Sequence, residues 1–185
     1  QRVKKRHGKI FDANDEIKLT PRSLAYIVSE LQRYSLLSTN IDIKGKAYEE
    51  IVGANLRGDR GEFFTPRNVM KMVVEMINPR IDERVLDSSC GTGGFLVQAM
   101  THVIAQLEAE FSASMGIPKK DWDGDTVKVF QDRISEMGST TFFGFDINPD
   151  LVKATKMNMV MNNDGSGNIL QTNSLLPPHE WTDDF

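Results

Sequence analysis

The sequence predicts an α/β fold in which a helical N-terminal region, residues 1–60, precedes part of a parallel sheet flanked by helices, residues 61–185. Three observations support this prediction. Before residue 84 the apolar residues recur at helical spacing. From there on, strand-like and helix-like segments alternate, which is typical of parallel sheets with right-handed crossovers. Polar residues follow the strand candidates, where sheets of this kind bind their ligands.

The composition, 39% hydrophobic and 26% charged with a net charge of −4, is that of a soluble globular protein. No apolar run approaches the roughly 18 residues that span a bilayer, and no secretory signal is visible. Cys90 is the single cysteine, which excludes an internal disulfide and is typical of cytoplasmic proteins. No Cys/His spacing accompanies it, so we expect a packed thiol and no metal site. From the first and last residues, Gln1 and Phe185, we expect a fragment.

Helical patterns account for the sequence up to the first strand. Thr20, followed by proline, is typical of a helix start, and the apolar spacing predicts a helix over residues 20–37. A shorter helix is predicted over residues 46–56. Thr65 and Pro66 repeat the start signal before a helix that stops ahead of the next proline.

The second half contains the strand candidates and the helices that connect them. Strands are predicted over residues 84–87, 140–145 and 168–172. A long helix with an apolar stripe follows the first strand, and a shorter helix is predicted near residues 125–137. Asn148 caps a further helix that reaches about residue 162.

The turn after the first strand is rich in glycine and reads Asp87-Ser88-Ser89-Cys90-Gly91-Thr92-Gly93-Gly94-Phe95. Glycines allow a positive φ and a close approach of the backbone to a ligand, and a helix N-terminus presents free N–H groups. A P-loop is excluded because no Lys-Ser/Thr pair follows the glycines. The turn therefore predicts a nucleotide-type pocket.

Polar residues at two further strand ends indicate which nucleotide the pocket binds. Asp146 and Asn173 follow the second and third strands, so we expect them at the same edge of the sheet as Asp87. Asp146 can accept hydrogen bonds from the ribose hydroxyls of a dinucleotide or of S-adenosylmethionine. It lies 59 residues from Asp87, whereas a dinucleotide fingerprint places its acid about 20 residues on. Asp87 also suits an amino group, so the pattern favours S-adenosylmethionine.

Four segments carry a resemblance to a known family. Residues 87–96 resemble the cofactor motif of N6-adenine DNA methyltransferases, in particular the modification subunit of type I restriction–modification systems, with Ser88 and Ser89 in place of the usual Pro-Ala. Gly-Glu-Phe-Phe-Thr-Pro at residues 61–66 resembles the motif that lies against the cofactor. Residues 143–149 and 172–175 are similar to the ribose-binding strand and the segment beside the adenine ring.

The resemblance implies a Rossmann-like fold of S-adenosylmethionine-dependent methyltransferases, incomplete at its C-terminus. It also implies a set of cofactor-binding residues. These are Phe63, Thr65, Pro66, Asp87, Ser89, Gly91, Thr92, Gly93, Gly94, Phe95, Asp146, Ile147, Asn173 and Ser174.

The function implied by the resemblance is methyl transfer from S-adenosylmethionine to the N6 amine of adenine in double-stranded DNA. The implied partner is a DNA-specificity subunit, with a restriction subunit as a further one. The family's catalytic Asn/Asp-Pro-Pro-aromatic motif is absent, because Leu176 precedes and His179 follows the only Pro-Pro pair, so we assign no catalytic residue and expect the motif after Phe185. A nicotinamide-dependent oxidoreductase fragment and a non-catalytic assembly module built on the helical region are the alternatives.

Overall fold

The computed structural model describes residues 16–35, 50, 65–162 and 168–181. The chain divides into two compact units, Gln1–Gly58 and Asp59–Phe185. The predicted domain boundary at residue 60 lies outside the described residues, as does the predicted helix over 46–56 apart from residue 50. Both remain predictions.

In the described part of the first unit, helix α1 spans Pro21–Leu31. Its predicted start is confirmed, because the Thr20 side chain accepts a hydrogen bond from the Ser23 N–H at 3.2 Å. The helix ends at Leu31 rather than at residue 37. A turn follows it, in which the Tyr34 N–H donates to the Leu31 carbonyl at 3.0 Å.

The second unit alternates helices and strands as the sequence predicted. Its elements are α2 (Arg67–Ile77), β1 (Val85–Asp87), α3 (Gly94–Met115), α4 (Gly124–Thr140), β2 (Phe142–Asp146), α5 (Pro149–Met161) and β3 (Ile169–Gln171), with short 3-10 helices at Lys119–Asp121 and Pro178–Glu180.

The strands form a parallel sheet in the order β1-β2-β3. Asp87 lies opposite Gly144, and Asp146 lies opposite Gln171. All three strands therefore end at the same edge of the sheet, which confirms the predicted α/β class. The middle strand is the most deeply buried, since Phe142 and Phe145 are both 0% exposed.

Two further differences from the sequence predictions concern the starts of β2 and α2. The strand predicted to start at residue 140 starts at Phe142, because α4 continues through Thr140. The Thr140 hydroxyl donates to the Glu136 carbonyl at 3.0 Å, so this β-branched residue completes the helix instead of opening the strand. The second difference is at Thr65, which does not cap α2, since Pro66 is the N-cap and no side chain accepts there.

The main core lies between the sheet and the helices that follow β1 and β2. Leu96 and Met100 of α3 pack there with Phe142, Met159 and Ile169. No helix within the described ranges is long and apolar enough to cross a membrane.

Two aromatic groups lie outside that main core. The rings of Phe111, Trp122 and Phe130 pack together with centroids 5.0–5.8 Å apart. The ring of Trp181, beyond β3, packs edge-on against Phe145 at 5.1 Å.

Candidate functional site

The carboxyl ends of β2 and β3, together with the start of the glycine turn, enclose a cleft of about 410 Å³, within the usual range for small-molecule sites. Five of the predicted site residues line it: Ser89, Asp146, Ile147, Asn173 and Ser174. Ser88, Thr172 and Leu175 complete the lining. The parallel register brings these residues together from segments far apart in the sequence.

The carboxylate of Asp146 is oriented by two backbone amides. Its Oδ2 accepts a hydrogen bond from the Gly91 N–H at 2.9 Å, and its Oδ1 accepts one from the Asn148 N–H at 2.8 Å. Each carboxylate oxygen can accept a further bond, so acceptor capacity remains for a ligand. The glycine turn is also attached to β2 by the Cys90 N–H, which donates to the Phe145 carbonyl at 2.8 Å.

Asp87 ends β1 and lines a neighbouring cavity of about 420 Å³, together with Phe95. Ser88 lines both cavities, so they adjoin at the first residues of the turn. Burial raises the pKa of Asp87, the Ser89 N–H donated to its carboxylate lowers it, and the charge of Asp146 raises it further. A positively charged ligand group beside both acids would relieve this repulsion.

The glycines of the turn are required by its conformation and by close packing. Gly91 and Gly93 have φ values of +56° and +81°, in the left-handed region that favours glycine. A Cβ on Gly93 would lie 2.7 Å from the Thr155 Cγ2, and one on Gly94 would lie 2.7 Å from the Met70 Sδ. Helices α2 and α5 therefore both pack directly on the turn.

Other predicted site residues lie away from the cleft or outside the described residues. Thr92 and Gly93 are buried inside the turn and line neither cavity. Thr65 and Pro66 are exposed at the start of α2 and line neither cavity. Phe63 is not among the described residues. The roles of all these residues in binding remain predictions.

The cysteine in the turn is packed, as the sequence predicted. Cys90 is 5% exposed, and its Sγ lies 3.8 Å from the Thr155 Oγ1. Burial raises the pKa of the thiol to about 12. The thiol is therefore protonated at neutral pH and can donate to the hydroxyl.

Among the residues whose side chains contact the turn, three were not predicted as site residues: Met70, Thr155 and Asn158. The last two project from α5, where the Thr155 hydroxyl donates to the Gly91 carbonyl at 2.6 Å and the Asn158 amide donates to the Thr92 carbonyl at 2.9 Å. A signal was available in the sequence, because polar residues at 155, 158 and 162 share one face of a helix that is otherwise apolar there.

Comparison with known proteins agrees with this architecture. The family model for N-6 DNA methylase matches residues 39–185. A type II restriction enzyme and methyltransferase, RM.BcgI of Heyndrickxia coagulans, is 28% identical over 168 residues, which is 88% of this chain and 23% of that protein. The StySJI type I restriction enzyme methylase subunit of Salmonella typhimurium is 27% identical over 156 residues, 80% of this chain and 26% of that protein.

A solved structure also matches. The modification subunit assigned to a type I restriction enzyme of Vibrio vulnificus YJ016 superposes with a TM-score of 0.56 and 25% identity, over 87% of this chain and 30% of that one. The chain thus spans about a quarter of the length of the two curated relatives.

Proposed function

Because the chain belongs to the N-6 DNA methylase family, we propose that the cleft at its strand ends binds S-adenosylmethionine for methylation of adenine N6 in DNA by the whole protein. When bound, S-adenosylmethionine supplies an electrophilic methyl group on a positively charged sulfur. The residues of this chain bind and orient that donor. Binding of the acceptor base is assigned to other parts of the whole protein.

The observation that carries the proposal is that backbone amides of the turn already donate hydrogen bonds within the protein. The Gly91 N–H is engaged by the Asp146 carboxylate, and the Gly93 N–H donates to the Cys90 carbonyl at 2.7 Å. Amides engaged in this way are not available to the pyrophosphate that a dinucleotide places at such a turn. The strand ends beside the turn instead present two carboxylates, Asp87 and Asp146, which suit the cationic S-adenosylmethionine and repel a pyrophosphate.

The cleft residues fit the parts of this ligand. Asp146, oriented by two amides, offers its remaining acceptor capacity to the ribose hydroxyls. Ile147 and Leu175 are 66% and 92% exposed and give the cleft an apolar lining that suits an adenine ring. Asp87, in the adjoining cavity, can accept hydrogen bonds from the ligand's amino group.

For the whole protein we propose double-stranded DNA as the methyl acceptor, a DNA-specificity subunit as partner, and a restriction subunit as a further one, in the cytoplasm. The net charge of −4 supports an arrangement in which the partner subunit makes many of the contacts to the DNA phosphates.

Calorimetric titration of the chain with S-adenosylmethionine tests the donor site, with NAD as the competing ligand. We expect binding that NAD does not inhibit. Asp146→Asn should weaken it roughly ten- to hundredfold, because hydrogen bonds to a charged acceptor are lost. Asp150→Asn is the matched control, since this exposed acid lies four residues further on and lines neither cavity. Equal affinity in the wild-type and Asp146 variants, or displacement by NAD, would refute the assignment.

A further inference from the structure

One face of α5 holds the glycine turn through a set of buried polar contacts. Thr155 is 0% exposed and Asn158 is 4% exposed. Their side chains donate to the carbonyls of consecutive turn residues, Gly91 and Thr92, at 2.6 and 2.9 Å. Such buried hydrogen bonds fix the direction in which the peptide groups of the turn point.

Thr155 contacts the turn with each part of its side chain. The hydroxyl donates to Gly91 O and lies 3.8 Å from the Cys90 Sγ. The methyl group occupies the space that the missing side chain of Gly93 leaves, since a Cβ there would approach it to 2.7 Å. The whole side chain is therefore complementary to residues 90–93.

Asn158 is itself held in one orientation. The Asn162 amide donates to the Asn158 side-chain oxygen at 3.0 Å and to its backbone carbonyl at 2.8 Å. The oxygen of Asn158 is thus engaged on the helix side, and its NH₂ group is directed at Thr92.

The contact with the turn extends to the cleft acid. The carbonyl of Gly91 is bonded to Thr155, while the N–H of Gly91 is bonded to Asp146. Movement of this one residue would displace the carboxylate that lines the cleft.

We propose that Thr155 and Asn158 are positioning residues for S-adenosylmethionine: without lining either cavity, they fix the glycine turn so that the Gly91 amide holds Asp146 in its binding orientation. This inference rests on the proposed function for the identity of the ligand. The fixing of the turn is a property of the free chain and can be measured without ligand.

Two variants at position 155 distinguish the hydrogen bond of the Thr155 hydroxyl from the packing of its side chain. Thr155→Val keeps the shape and removes the donor, whereas Thr155→Ser keeps the donor. Thr101→Val is the matched control, because the Thr101 hydroxyl donates to the Val97 carbonyl within α3 at 2.9 Å and does not contact the turn. Asn158→Ala tests the second contact independently.

Hydrogen exchange of the ligand-free chain is the first measurement. In Thr155→Val and Asn158→Ala we expect the Gly91 and Gly93 amides to exchange roughly tenfold faster relative to the amides of the α3 core. Thr155→Ser and Thr101→Val should leave that ratio within about twofold of wild type. Acceleration that is uniform along the chain would show general destabilisation and overturn the proposal.

Calorimetry with S-adenosylmethionine is the second measurement. Thr155→Val should weaken binding roughly tenfold and Thr155→Ser by less than about twofold. Equal losses in these two variants would mean that the hydroxyl has no positioning role. If the wild-type chain does not bind S-adenosylmethionine, the proposed function fails, while the exchange measurement still decides whether α5 fixes the turn.

Discussion

Replacing Gly93 by alanine tests the packing of the glycine turn against α5. The residue has a φ of +81°, and its new Cβ would lie 2.7 Å from the Thr155 Cγ2. The left-handed conformation costs a residue with a Cβ about 1–2 kcal/mol. Overpacking adds about 1–3 kcal/mol, because the β-branched Thr155 is fully buried and bonded to Gly91 O, so it cannot move aside. The total loss in the free energy of unfolding is about 2–5 kcal/mol.

Gly116→Ala is the matched control. This glycine ends α3 with a φ of +69°, and nothing lies within 4 Å of the Cβ that alanine would add. Only the backbone cost of about 1–2 kcal/mol applies there. Urea denaturation of the two variants, followed by circular dichroism, should therefore separate them by about 1–3 kcal/mol.

A double variant isolates the steric contribution. Thr155→Ser removes the methyl group that meets the new Cβ and keeps the hydroxyl that bonds Gly91 O. In the Gly93→Ala background it should recover most of the difference between the two alanine variants. Equal losses at Gly93 and Gly116, or no recovery in the double variant, would refute the close packing of the turn on α5.

Three further outcomes are expected. Asp87→Asn should stabilise the ligand-free chain near neutral pH and weaken S-adenosylmethionine binding. Burial raises the folded-state pKa of Asp87, so the stability of the wild-type chain falls as pH rises through that pKa. Urea melts of both proteins across the acid-to-neutral range should therefore converge at low pH. The Cys90 thiol, whose pKa is about 12, should resist Ellman's reagent in the folded chain at mildly alkaline pH and react on denaturation; fast reaction of the folded chain would contradict its burial. Gly144→Ala should cost about 1–3 kcal/mol in urea denaturation, since its Cβ would meet Leu96 Cδ1 at 2.8 Å and Ile169 Cδ1 at 2.9 Å; no loss would mean that these side chains move aside freely.

Much of the fold could be predicted because its signals are local. The cap at Thr20 and the apolar stripe of α3 follow from neighbouring residues alone, and the structure confirms both. The strand ends at Asp87 and Asp146 could also be predicted, since parallel strands share one edge. The prediction that Thr140 opens the strand is wrong: β-branched residues favour strands, but the Thr140 hydroxyl donates to the carbonyl of Glu136, four residues earlier, and the residue completes the helix.

The contacts of the glycine turn were harder to predict because they join distant segments. Thr155 is 64 residues from Gly91, and Asn158 is 66 residues from Thr92. Nothing local in the sequence specifies such a pairing. The residues that line the cleft could be predicted because they follow strand ends in the sequence. The residues of α5 that bond to the turn could be identified only from the three-dimensional structure.

The two tryptophans of the chain lie in separate surroundings, and this makes them independent optical probes. Trp181 lies against Phe145, one residue before the cleft acid Asp146, and its indole N–H donates to the Leu176 carbonyl at 2.9 Å. Trp122 belongs to the aromatic group with Phe111 and Phe130. In a Trp122→Phe chain, the remaining fluorescence would report on the end of the sheet where the cleft lies, and in a Trp181→Phe chain on the aromatic group of Phe111, Trp122 and Phe130 alone.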